Sequence, residues 1–168
     1  MNTARRIGAL WGVIGTILFL LLAIERLAPH IVEMFHFGLS PLQIFILIAW
    51  VVFMLISEGY QGFQKQFSPR VVARSQYLRK HGTKLQLLAA PLFCMGYFNS
   101  SRKRLLVTYT ITLLVVSFII LVRLLPTPWR GIVDTGVVLG LSYGIIWIVL
   151  FYIKSRKSKH YIVDPVIG

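Results

Sequence analysis

The chain has 168 residues, 57% of them hydrophobic and 14% charged, with a net charge of +13. Soluble domains carry about 25% charged residues, so an ordinary water-soluble globule is excluded. The positive charge gathers in short blocks with no folded nucleic-acid reader around them, which sets nucleic acid aside as a partner. A single cysteine, Cys94, excludes an internal disulfide and a cysteine-based metal cluster.

Arg5 and Arg6 precede 18 uncharged residues, Ile7–Ile24. The start reads like a signal peptide, but the apolar run is too long for one and no small-residue cleavage site follows. A retained first span, about 7–27, is expected, since a hydrocarbon core about 30 Å thick needs roughly 20 helical residues. "HIVEMFH" then spaces His30, Glu33 and His36 three apart. On a helix Glu33 would neighbour both histidines, as a metal site would require. His30 and His36 would nevertheless point about 240° apart, so one helix could not aim both at one ion. An amphipathic outer loop is expected here, and no metal.

The second span, about 39–58, contains 19 uncharged residues (Leu39–Ser57) and opens at Ser40-Pro41. It ends at Glu58 in "EGYQGF", where Gly59 and Gly62 permit close backbone approach and Tyr60 offers a hydroxyl. Glu58 can be read as a functional carboxylate facing the basic loop. An ion pair with a nearby arginine, fixing where the helix ends, is the simpler expectation.

Residues 64–98 read as an amphipathic or interfacial region. A helix starting at Ser68-Pro69 would turn Phe67, Val71, Val72 and Leu78 to one side and carry Arg70, Arg74, Arg79 and Lys80 toward lipid phosphates. Each such cation contributes about 1 kcal/mol at an anionic surface. His81-Gly82-Thr83 would end it. Leu85–Phe98 follows, fourteen uncharged residues with Pro91 near the middle. As a helix it would extend only about 21 Å, and Pro91 would break its hydrogen-bond ladder where lipid offers no replacement. If it does not cross, 15 of the 18 basic residues fall on the side of the N-terminus and only Arg26, Arg123 and Arg130 on the other. If it crosses, the division becomes 10 to 8 and the positive-inside bias nearly vanishes. The segment is therefore expected to enter from the cytoplasmic side and return, or to lie along the interface. Arg102, Lys103 and Arg104 then join the anionic-lipid contacts.

A third span, about 105–125, holds 18 uncharged residues (Leu105–Val122), and "RLLPTPWRG" turns the chain with Trp129 at headgroup level. The fourth, about 134–153, has Asp134 as its expected N-cap. Gly136, Gly140 and Gly144 share one face of it, as Gly8, Gly12 and Thr16 do on the first span. Small residues at this spacing let helices approach closely. The two faces lie in opposite halves of the bilayer, so each must receive a larger side chain from another helix of this chain or of a partner. Residues 154–168 form a basic tail.

The expected fold is all-α: one integral membrane domain with four transmembrane helices, a cytoplasmic-side amphipathic helix and a short re-entrant or interfacial segment. Both termini are expected in the cytoplasm and the protein in the inner membrane. In this threading Glu25, Glu33, Glu58, Asp134 and Asp164 all avoid the middle of the bilayer. That argues against paired-carboxylate catalysis and proton-coupled transport, and no cofactor is expected. The leading expectation is a non-enzymatic accessory or assembly subunit that packs against another membrane protein, or itself, with its basic region on anionic lipid. A small oligomeric channel or carrier, using Thr108, Thr110, Thr112 and Ser117, is the alternative. A lipid-acting enzyme using Glu58 and His81 at the cytoplasmic face comes third.

Overall fold

The structure, a computed structural model, describes residues 3–157. The basic tail is seen only through Lys157, so Lys159, His160 and Asp164 lie outside the described residues. Among the described residues the regular structure is helical throughout, and four helices are long and apolar enough to cross a membrane.

The first helix, α1 (Thr3–Phe37), runs unbroken for 35 residues and carries Pro29 inside it. "HIVEMFH" is thus helical, not a loop. The extension is held from the side: Met34 is fully buried against the backbone at Gly131, where the His30 carbonyl also makes close contact. The link to the next helix shrinks to Gly38 and Leu39, with Gly38 at φ +80°. Ser40 then caps α2 (Pro41–Met54). Its hydroxyl accepts from the Gln43 N–H at 3.3 Å, while the Gln43 side chain accepts from the Ser40 N–H at 2.9 Å.

The second helix does not end at Glu58. It widens into a π-helix at Leu55–Phe67 and continues as α3 (Ser68–His81), a single rod of 41 residues. Thirteen residues of π-helix are unusual, since the form mostly occurs as single turns. Pro69 supplies a reason. It lacks an N–H and crowds the carbonyl four residues back in an α-helix. A wider register upstream, with Gly59 and Gly62 in it, carries the rod past the proline. Ser68-Pro69 is accordingly no helix start: Phe67 before it is already helical, and the Ser68 hydroxyl donates to the Gly144 carbonyl at 3.4 Å.

Two short helices follow, α4 (Lys84–Leu88) and α5 (Ala90–Met95), then α6 (Arg102–Val122) and α7 (Trp129–Lys157). Because α7 begins at Trp129, Asp134 is not its cap. It is buried one turn further in, 3.8 Å from Arg130 Nε.

Antiparallel α1 and α7 form the centre, and the long rod packs along α7 with α3 wedged against both. Arg5 donates to the carbonyls of Lys80 (3.0 Å) and Gly82 (3.3 Å), and Gln76 donates to that of Ser155 (3.2 Å). These bonds define a basic end shared by Thr3, His81 and Lys157. At the opposite end Thr127 donates to Glu33 at 3.4 Å. Val71, Val72 and Leu78, expected to form an apolar side of α3, are buried against protein, together with the polar Ser68, Arg74 and Ser75. Helix α6 stands apart, and Val122 is its only buried residue.

Candidate functional site

The glycine faces are filled from within the chain. On α1, a Cβ at Gly8 would strike Leu87, one at Gly12 would lie 2.6 Å from Cys94 Sγ, and one at Gly15 would strike Pro91. Thr16 is buried beside them, its hydroxyl donating to the Gly12 carbonyl at 2.8 Å. On α7, Gly136 receives Trp50 and Met54, Gly140 faces Glu58, and Gly144 receives Phe63. Without a hydrophobic driving force between helices in lipid, such close fits supply the packing energy.

The order of contacts along α1 traces the path of the proline-broken segment. Leu87 meets Gly8, Ala90 meets Gly12, Pro91 meets Gly15, and Cys94 is back at Gly12. The chain therefore rises about 10 Å along α1, turns at Pro91 and descends. Thr83 caps α4 through Gln86, and Gly96, at φ +95°, ends α5. The turn that leads into α6 is tied down by Arg74. This guanidinium donates to the carbonyls of Phe98 (2.8 Å) and Asn99 (3.0 Å) and to the Ser100 hydroxyl, and it stacks 4.3 Å from the centre of the Phe93 ring.

Arg74 is thus not a surface lipid contact, being 3% exposed. It lies at the base of a cleft between α3, α5 and α6, lined also by Phe67, Arg70, Gly96, Arg104 and Thr108. Arg104 stands close enough to Arg70 and Arg74 to repel both. Among the described residues no carboxylate lines the cleft, and the Arg130–Asp134 ion pair is at the opposite end. Of the other expected lipid contacts, Lys80, Arg102 and Lys103 are exposed at the basic end and Arg79 is half-buried.

Glu58 falls where it was not expected. Its carboxylate oxygen would lie 3.6 Å from a Cβ on Gly140. Gly140 is four residues from the middle of α7's uncharged run Thr135–Ile153, so about 6 Å from the midpoint. The rod's register therefore carries Glu58 into the membrane interior, with Tyr60, Gln61, Gln64 and Lys65 following in the π-helix. Among the described residues Glu58 has neither a hydrogen bond nor an ion pair, and no arginine reaches it. Tyr143 donates to Gln64, and Lys65 Nζ sits 4.4 Å over the Tyr60 ring. His81 is 23 residues further along the same rod, roughly 30 Å away, so the two cannot share an active site.

Two other arrangements are not assembled. His30 faces Asp134 while Glu33 reaches Thr127, and no group of three metal-ligating side chains forms among the described residues. The α6 hydroxyls line no common path. Thr112 bonds to Tyr97 (2.9 Å) and to the Thr108 carbonyl (2.8 Å), Thr108 borders the arginine cleft, and Thr110 and Ser117 face outward. Trp50 and the acceptors at Phe98, Asn99 and Ser100 are the residues sequence reasoning missed. None belongs to a recognisable local pattern. Compared with protein-family models, curated proteins and solved structures, the chain matches none, and its site is defined by this geometry alone.

Proposed function

We propose that the protein acts by assembling with another membrane protein in the bilayer, with α6 as the contacting span. The observation that carries this reading is α6 itself: a full-length apolar helix that buries only Val122 within its own chain. The glycine faces no longer support the proposal, because Leu87, Pro91, Trp50 and Phe63 already occupy them. Helix α2 also buries a single residue, Met54, but packs along α7, whereas α6 is held near its basic end by Tyr97 and is otherwise ready to receive small or branched side chains from a neighbour. Its placement in an inner membrane, with both termini and the basic end in the cytoplasm, follows the charge asymmetry. Single cysteines at Leu113 and Ile120, in a Cys94→Ser background, should cross-link in native membranes to a distinct protein, while one at Phe45 should not. Cross-links only between copies would make the assembly a homo-oligomer. Equal yields from α6 and Phe45 would remove the basis of the reading.

The position of Glu58 favours a second reading, a carrier or channel for protons or small cations. An ionisable group inside the bilayer is costly and ordinarily marks a pathway or a partner, and π-helical turns frequently coincide with functional sites. Purified protein in vesicles containing a pH-sensitive dye would dissipate an imposed proton gradient, and Glu58→Gln would abolish the flux. No flux above protein-free vesicles would sink this reading and leave Glu58 as a contact for the assembly partner.

A further inference from the structure

We infer that the chain assembles with further copies of itself in the bilayer, through an ion pair between Glu58 of one copy and Arg26 of the next. Glu58 is held at a fixed depth. Met54 packs into the notch at Gly136 one turn above it, and Gly59 packs on the Tyr143 ring just below. The carboxylate rests against Gly140 on one side and is exposed on the other, with no hydrogen bond or ion pair among the described residues. From Gly140 to Thr135, where the uncharged run of α7 begins, is about 8 Å. A glutamate side chain is too short to cover that distance. Ionisable groups at such depths pair with one another or face a cavity. The first cation along the rod, Lys65, lies below Phe63, which packs at Gly144, about 6 Å nearer the cytoplasm than Gly140. Lys65 is also already engaged over the Tyr60 ring.

The complementary charge is on α1. Arg26 is exposed there and forms no hydrogen bond or ion pair among the described residues. Its level follows from the antiparallel packing of α1 on α7. His30 and Met34 straddle Gly131, so residue 32 stands opposite Gly131. Arg26 then stands opposite Val137, about 4–5 Å outward of Gly140. Helical side chains lean toward the N-terminus of their own helix. That direction is cytoplasmic for α1 and outward for the rod, so the two side chains lean toward a common depth. Within one chain α1 and the π-helix each pack along α7 rather than along one another, which keeps the two charges apart. Between copies lying side by side in the same orientation, nothing separates them. Each copy carries both halves, and a guanidinium can hold a carboxylate by both oxygens. Glu25, the like-charged neighbour of Arg26, points about 100° away around α1. The contact uses neither α6 nor an ion flux, so it goes beyond both readings above.

The test is energy transfer between donor- and acceptor-labelled copies of the full-length protein in phosphatidylcholine vesicles, each label on a cysteine replacing Lys157 in a Cys94→Ser background. Glu58→Gln and Arg26→Gln should each weaken association about tenfold. Glu58→Arg and Arg26→Glu should each do the same, and the two together in one chain should restore it. Lys65→Gln should leave association unchanged, and Glu25→Gln should leave it unchanged or strengthen it. Neither Glu58 nor Arg26 bonds within the described chain, so these variants should keep their melting midpoints in dilute detergent. Transfer no greater than that between randomly mixed lipid-linked dyes would overturn the inference. Association that ignores Glu58→Gln, or a double exchange as weak as the single ones, would show that the two charges do not meet and would overturn it as well. So would a loss in Glu25→Gln equal to that in Arg26→Gln. A cysteine at Glu58 that cross-links in native membranes only to a different protein would place the cation there and overturn the second copy.

Discussion

Trp50 sits in the notch that Gly136 leaves on α7, and its indole N–H donates to the Val133 carbonyl at 3.1 Å. A methyl group at Gly136 would lie 2.5 Å from Nε1 and 2.6 Å from Cδ1, closer than real contacts allow. At Gly140 the nearest atoms are 3.6 Å away, an ordinary contact. Overpacking costs about 1–3 kcal/mol, whereas replacing a helical glycine by alanine returns about 1 kcal/mol of propensity. Gly136→Ala should therefore lower the melting midpoint in detergent, and Gly140→Ala should leave it unchanged or raise it. Matching midpoints would mean that Trp50 moves aside freely and that the notch holds nothing in place.

The contrast shows what periodicity can and cannot deliver. The uncharged runs gave the four spans because hydrocarbon thickness dictates their length, and the flanking charges with Pro91 gave a segment that turns back. Spacing placed Gly136, Gly140 and Gly144 on one face but could not rank them, since the rank depends on which side chain arrives opposite each. The larger miss was register. Glu58 ends an apolar run, so sequence reasoning put it at a membrane boundary. The rod instead continues through the π-helix and starts well above the end of α7, which lowers that boundary by several turns. Arg74 was misjudged for a related reason. It lies one turn from Arg70, on the same side of the helix, and only the return of residues 98–100, from 24 positions away, covers it.

Arg74 should behave as a structural residue of the turn before α6. Hydrogen bonds from a charged donor contribute about 1.5–3 kcal/mol each, and the stacking on Phe93 adds about 0.5–2 kcal/mol. Arg74→Leu should be strongly destabilising. Arg74→Lys should fail nearly as badly, because an ammonium cannot span two carbonyls and a ring at once. Lys80→Gln, at an exposed position, should cost less than about 0.5 kcal/mol. Limited proteolysis will show whether the Tyr97–Ser101 turn opens in the first two variants. Wild-type resistance in Arg74→Lys would show that charge alone is enough.

The threading predicts that Arg5, Lys80, Lys103 and Lys157 share the cytoplasmic side and that Arg26 and Arg123 lie across the membrane. In a Cys94→Ser background, single cysteines at Lys103 and Lys157 should react with an impermeant maleimide only after the cells are opened. A cysteine at Arg123 should react in intact cells. Labelling at position 103 in intact cells would invert or break the topology, whatever the reactions at the other positions.

Cys94 provides the sharpest test of the re-entrant segment, because it lies on the descending arm. Its sulfur packs against Gly12, it is 2% exposed, and the turn at Pro91 separates it from the far side of the bilayer. Burial pushes its thiol up to about 12, the Arg74 charge pulling the other way by less. An unperturbed thiol titrates near 8.5, and the thiolate is the nucleophile. The sign follows directly. Below the raised value the thiolate fraction, and with it the rate of maleimide addition, grows about tenfold per pH unit. For Cys94 that growth should continue through pH 10. For a cysteine at Lys103 in the Cys94→Ser background it should level off near pH 9. At pH 7.5 a permeant maleimide should label Cys94 far more slowly than the control, and an impermeant one added to intact cells should not label it at all. A plateau near pH 9 at Cys94 would place the sulfur in water and release it from Gly12. Rapid labelling from outside would mean that Leu85–Phe98 crosses the bilayer, which would reverse the side assigned to every residue after it.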